Sequence, residues 1–186
     1  MRTLVIGDLH FDNKPPGLLD AQKKAVLNIY TSAKESGDID DVIFLGDLMM
    51  HRRPYPRVLL ALKEVVDIIA KKSDVYILRG NHDSENKSDD GVTALSLLDD
   101  IDVNIITHTY IDKERKRVFI PHYENETKIK EALGNVPRGF TVFGHFGYFG
   151  SLNSAGDADF SIDPSEFYTS CILGHIHRFN QRTIQA

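Results

Sequence analysis

Five times in this chain of 186 residues an apolar run ends in glycine, and the next side chain carries an oxygen or nitrogen donor. The junctions are "VIG" before Asp8, "FLG" before Asp47, "LRG" before Asn81, "VFG" before His145 and "ILG" before His175. Glycine lets a backbone turn sharply and approach a ligand closely, so each junction is expected to be a corner built around the residue that follows it. Between these runs lie longer segments of helical period, and that alternation marks α/β organisation. In open α/β sheets ligands bind beyond the carboxyl ends of the strands, so the five donors are expected to converge. Turn chemistry alone gives no reason for histidine at one corner and aspartate at another.

The pattern sets out the elements. Strands are expected at "TLVIGD", "DVIFLGD", "DVYILRGN", "VNIIT", "KRVFIP", "FTVFGH" and "CILGH". Helices are expected at "LLDAQKKAVLNIYTSAKES", "RVLLALKEVVDIIAKK" and "ENETKIKEAL", with a short one around "VTALSLLDD". The first helix reads as amphipathic, with Leu19, Ala25, Val26, Ile29 and Ala33 on one face. A glycine-rich loop, "GYFGSLNSAGDAD", separates the last two strands. The length suits a single domain over 1–186 with a substantial core.

Charge and cysteine content narrow the setting. A formal charge of -5 argues against a broadly basic nucleic-acid binder, although bound divalent cations reverse the local field where they sit. The single cysteine, Cys171, excludes an internal disulfide and reads as a core residue in a reducing compartment. No apolar run approaches the roughly 20 residues that span a bilayer, and the amino terminus lacks the plan of a signal peptide. A cytoplasmic location without membrane partners is therefore expected.

The donors define a chemistry. His10 and His177 join the five corner residues, since residues two apart in an extended segment point the same way. Asp8, His10, Asp47, Asn81, His145, His175 and His177 exceed what one tetrahedral ion needs and suit two ions sharing a carboxylate. Manganese is expected first, with iron, zinc or magnesium as alternatives. Two ions about 3.5–4 Å apart clamp the attacking and leaving oxygens at phosphorus and lower the pKa of bound water from about 15.7 towards 7. Metal-assisted phosphoester hydrolysis is the reaction class that follows. In "GNHD", Asn81 is placed as a ligand and His82 is left as general acid or charge stabiliser. Asp83 either holds the His82 ring or caps the following turn.

The motifs "GDLH", "GDLMMH", "GNHD", "GH" and "GHIH", in this order from Gly7 to His177, resemble the signature of the calcineurin-like metallophosphoesterase superfamily. The resemblance implies a four-layer αββα sandwich. It also implies that Asp8, His10 and His177 hold one metal, that Asn81, His145 and His175 hold the other, and that Asp47 bridges them. The second motif, "GDLMMHRRPYP", lacks the Asp-Arg-Gly continuation of the Ser/Thr protein phosphatases. Together with "VFIPHYENE" and "VFGHFGYFG", it is similar instead to the SbcD-type recombination and repair nucleases.

That branch implies DNA as substrate, an SbcC-like ATPase partner and a homodimer. His51 then corresponds to a histidine near the scissile phosphate, although it lies one residue further from Asp47 than in those nucleases; otherwise it is a solvated loop residue. Arg52, Arg53 and Arg57 make the same loop basic, fit for phosphate contact or simply solvated. His108 and His122 lack the glycine junction and read as structural. SbcD-type nucleases continue past the last histidine motif into a DNA-binding capping region, which this chain is expected to lack. A phosphodiesterase or phosphatase for nucleotides is the alternative enzyme, and a non-catalytic scaffold on the same fold is the third reading.

Overall fold

The computed structural model describes residues 1–151, 161–163 and 170–177. Among them the elements run β1 (Thr3–Ile6), α1 (Leu18–Glu35), β2 (Asp41–Phe44), α2 (Pro56–Ala70) and β3 (Asp74–Leu78). A 3-10 turn (Ala94–Leu98) follows, then β4 (Asn104–Ile106), β5 (Tyr110–Asp112), β6 (Arg117–Ile120), α3 (Glu126–Gly134), β7 (Thr141–His145) and β8 (Cys171–Gly174). The glycine-rich loop read from the sequence lies outside the described residues from position 152 onward. No described helix is long and apolar enough to cross a membrane.

The strands form two four-stranded sheets, ordered β1-β2-β3-β4 and β5-β6-β7-β8. Every pairing is parallel except β5 with β6. Side chains two apart in a strand share a face, and that alternation sorts the core into three layers. Val42, Phe44, Val75 and Ile77 pack with Val58, Leu62, Val65 and Ile69 of α2. Ile43, Leu45, Tyr76 and Leu78 turn the other way and meet Phe119 and Phe143 of the second sheet. Val118, Ile120 and Val142 face Ile129, Ala132 and Leu133 of α3. The result is the four-layer αββα sandwich. Between the sheets the ring of Phe119 stacks on Tyr76 at 5.2 Å and on Phe143 at 5.6 Å, offset aromatic contacts that add to burial.

Three local expectations change. The inward face of α1 is Leu19, Val26, Leu27, Tyr30 and Ala33, whereas Ala25 and Ile29 point to solvent. Tyr30 wins the inward position because its hydroxyl pairs with Ser73 Oγ at 2.8 Å, which lets the ring be buried without an orphaned polar atom. β5 is a strand the pattern did not show, three residues long and antiparallel at the sheet edge. Cys171 does pack against the α3 core, and burial pushes its thiol up to about 12.

The corner glycines differ from expectation in how they act. Only Gly46, at φ +104°, takes the left-handed region among the five. At three corners the donor itself does so: Asp8 at 53°, Asp47 at 50° and His175 at 82°, with His10 at 46° beside them. Most of the glycines act by absence of a Cβ. At Gly80 an added carbon falls on the carboxylate and backbone nitrogen of Asp47. At Gly7 it makes only ordinary van der Waals contacts, with Leu45 at 3.7 Å and Gly174 Cα at 4.0 Å. Gly80→Ala is therefore expected to lower the unfolding free energy by about 1–3 kcal/mol, the usual cost of overpacking, while Gly7→Ala changes it far less. Urea denaturation of both variants in chelator measures the difference; equal effects would contradict it.

Candidate metal centre

The carboxyl ends of β1, β2 and β3 in one sheet and of β7 and β8 in the other open onto the same space. The loops after β1 and β2 are laced together: His10 donates its backbone N–H to Asp47 O at 2.9 Å, Phe11 donates to Leu48 O, and Met50 donates to Phe11 O. The second sheet is joined across the gap when the N–H of His175 donates to Asp8 Oδ1 at 2.9 Å.

Asp47 stands at the centre, 2% exposed. Its Oδ1 accepts the backbone N–H of His82 at 2.8 Å. Its Oδ2 lies 3.8 Å from His10 Nε2 and 3.4 Å from His145 Nε2, so one oxygen faces donors on both sides. Burial raises the pKa of this carboxyl. The neighbouring imidazole of His145 and the His82 N–H more than reverse that, leaving it far below the ordinary range and ionised.

On one side, His10 Nε2 lies 3.0 Å from His177 Nε2, and His177 Nε2 lies 3.6 Å from Asp8 Oδ1. On the other, Asn81 Oδ1 is 2.8 Å from His175 Nδ1 and 3.1 Å from His145 Nε2, and the two ring nitrogens are 3.3 Å apart. His145 Nδ1 donates to Leu45 O at 2.7 Å, so in the neutral ring Nε2 carries the lone pair. Atoms able to ligate a metal thus stand 2.8–3.3 Å apart in each cluster, with the tautomer of each ring deciding which atom donates. Two ligand atoms on one ion, each about 2.0–2.1 Å from it, stand about 2.8–3.4 Å apart in octahedral or tetrahedral geometry. The contacts from 2.8 to 3.4 Å fall in that range, while His177–Asp8 at 3.6 Å and His10–Asp47 at 3.8 Å are wider. Three groups could hold an ion, each with donor atoms within 4.8 Å of one another: Asp8–His10–His177, Asp47–His145–His175 and His10–Asp47–His82.

A family model described as calcineurin-like phosphoesterase matches residues 1–179. The chain belongs to the calcineurin-like phosphoesterase family. The family's usual two divalent ions find a fitting donor set in the side chains gathered around Asp47. No curated protein matches the chain. Among solved structures it is similar to the nuclease MPE of Pseudomonas putida, with a TM-score of 0.45 and 19% identity over 84% of this chain. It spans 66% of that nuclease's length.

The remaining residues of this phosphoesterase sort by their contacts. His82 Nδ1 lies 2.6 Å from Met50 O, an acceptor, so Nδ1 carries the proton there and Nε2 is left for chemistry. The ring meets that of His10 edge-on at 4.8 Å. Asp83 neither holds the ring nor caps the turn after it, which corrects both of its expected roles. It is fully buried and accepts the N–H groups of Met49 at 3.1 Å and Gly80 at 2.9 Å, tying the loop after β2 to the loop after β3. Burial, and next the charge of Asp47, raise it to about 6.

His51 sits exposed on the rim, 3.6 Å from Asp12. Arg52 is committed to its own fold: it donates to Asn86 O at 2.6 Å and Ser84 O at 3.4 Å, and pairs with Glu124 at 3.1 Å. Arg53 and Arg57 are exposed. His108 is exposed beside Thr107. His122, read as structural, lies against the centre: its ring is 5.7 Å from that of His175 and 6.1 Å from that of His145. The signal for it was its place just past strand β6, where the other donors also follow strands.

Burial pulls the pKa of His145 down, and the Asp47 carboxylate more than reverses this, raising it above 6.5. An ion binding at Nε2 has to displace that proton. Affinity for Mn²⁺ is therefore expected to climb about tenfold per pH unit up to and beyond pH 6.5. Isothermal titration between pH 5.5 and 8 measures it, and an affinity constant across that range would contradict the assignment.

Proposed function

We propose that the protein is a two-metal phosphodiester hydrolase of the SbcD-like type that acts on DNA. The observation that carries this reading is the single oxygen, Asp47 Oδ2, faced by His10 on one side and His145 on the other. Asp8, His10 and His177 hold one ion, Asn81, His145 and His175 hold the second, and Asp47 is shared. Manganese suits this mix of carboxylate, amide oxygen and imidazole. Bound ions there polarise the phosphoryl oxygens and make water acidic enough to attack at neutral pH.

The chain's own residues do the rest. Met50 O holds the Nδ1–H of His82, so the ring can pass a proton to the leaving oxygen only from Nε2 of its doubly protonated form, and returns to the Nδ1–H tautomer on giving it up. The same ring edge can stabilise charge gathering on the phosphoryl oxygens. Asp83 keeps the two loops that carry Asp47 and His82 in register. For DNA, the support is the rim: His51 and the exposed Arg53 stand on the loop that leads out of the Asp47 corner, where a second phosphate of a polymer would lie.

One observation favours the second reading, a phosphodiesterase for nucleotides. Arg52, the first arginine of that loop, is spent on Ser84, Asn86 and Glu124 and offers a polyanion less charge than the sequence suggests.

Asp47→Ala is expected to abolish Mn²⁺ uptake and all activity. His82→Ala is expected to keep the metal and lose about 10²–10⁴-fold in kcat. Both follow from metal titration and hydrolysis of bis(p-nitrophenyl) phosphate, and a fully active His82→Ala enzyme would remove its role. His51→Ala is expected to slow cleavage of DNA while sparing that small diester. Activity on phosphomonoesters alone would refute the nuclease assignment.

A further inference from the structure

His122 is 6% exposed and belongs to none of the three donor groups around Asp47. Its backbone is pinned to the first sheet on both sides: its N–H donates to Arg79 O at 2.9 Å, and Arg79 Nη2 donates to His122 O at 2.7 Å. Arg79 immediately precedes the Gly80–Asn81 corner. The imidazole of His122, two residues past β6 of the second sheet, lies nearly parallel to that of His175 at 27° and edge-on to that of His145 at 82°. Among the described residues neither ring nitrogen has a hydrogen-bond partner. Glu124 Oε1 is 3.8 Å from Nε2, beyond hydrogen-bond length. A side chain fixed at its root, stacked on a donor ring and making no hydrogen bond through its own nitrogens to the described residues acts through its face.

We propose that His122 is a positioning residue: the face of its imidazole holds the ring of His175 in the plane that turns Nδ1 towards Asn81 and His145. The inference rests on the reading of His145 and His175 as metal ligands. It adds an element to the site, a side chain that ties the Asn81 corner of one sheet to the His175 corner of the other. Residues that orient a ligating imidazole typically change metal affinity by about 10–100-fold when lost.

Two substitutions that both fill the space separate face from nitrogen. His122→Phe keeps a flat ring and is expected to bind two Mn²⁺ ions with affinities within about threefold of wild type. His122→Leu lacks the flat face, and one of the two ions is expected to bind about 10–100-fold more weakly. Titration followed by electron paramagnetic resonance counts the ions. If His122→Phe loses as much as His122→Leu, the nitrogens act and the proposal is wrong. It is equally wrong if both variants match wild type.

A measurement on the unaltered protein stands beside these. On Zn²⁺ loading the ring nitrogens of His145 and His175 are expected to show coordination shifts by nuclear magnetic resonance, and those of His122 are not. A coordinated His122 would overturn its positioning role. Wild-type protein that takes up no metal would instead remove the metal-centre reading itself.

Discussion

The buried charge of Asp47 is the constraint on which the rest depends. Taking an ionised carboxylate out of water costs several kcal/mol, and such a charge persists only with close partners. Here one oxygen is satisfied by the His82 N–H, and the other is left between imidazoles from both sheets. Around it, Asp8, His10, Asp47 and His175 all adopt left-handed backbone. Side chains in that region cost of order 1–3 kcal/mol each and are kept where the surroundings over-determine them. Aspartate tolerates the region better than most residues. A site that concentrates charge, strain and metal-ligating side chains is poorly arranged as a packing device and well arranged as a receptor for cations.

The two ends of the sandwich solve opposite problems. At the amino ends of the strands, Arg117 Nη2 pairs with Asp41 Oδ2 at 2.8 Å and with Thr3 Oγ1 at 2.9 Å, closing the gap between the sheets with opposite charges. Arg115 reinforces it by pairing with Asp74 at 3.0 Å. At the carboxyl ends, imidazoles and carboxylates from both sheets crowd around Asp47 instead. The Tyr76, Phe119 and Phe143 rings lie between, holding the sheets at a fixed distance. Rigid spacing matters because donors from separate sheets have to meet within the reach of one ion.

The α/β alternation and the gathering of the glycine-corner donors were legible because each depends on local pattern: period, punctuation and residue chemistry. The four-layer order came only from the resemblance to a family. What was not legible depends on contacts between distant segments. Asp83 turned out to clamp Met49 and Gly80, a choice set by a loop 34 residues away. Arg52 is claimed by carbonyls at Ser84 and Asn86, which no reading of "HRRPYP" contains. Ile29 lost the inner face of α1 to Tyr30 because Ser73 stood ready to receive a hydroxyl. His122 follows Pro121 rather than a glycine, so its place beside His175 emerged only when β6 and β8 took positions on either side of β7. Of the corner glycines, Gly80 and Gly174 clear space for Asp47 and Asp8, Gly144 makes room for Phe146 and Leu173, and only Gly46 works through its own torsion.

Crystals soaked in Mn²⁺ and measured at the manganese absorption edge test the shared carboxylate most directly. Two anomalous peaks about 3.5–4 Å apart on either side of Asp47 Oδ2 are expected, one beside His10 and His177 and the other beside His145 and His175. No peak, or a single ion with Asp47 outside its shell, would contradict the account.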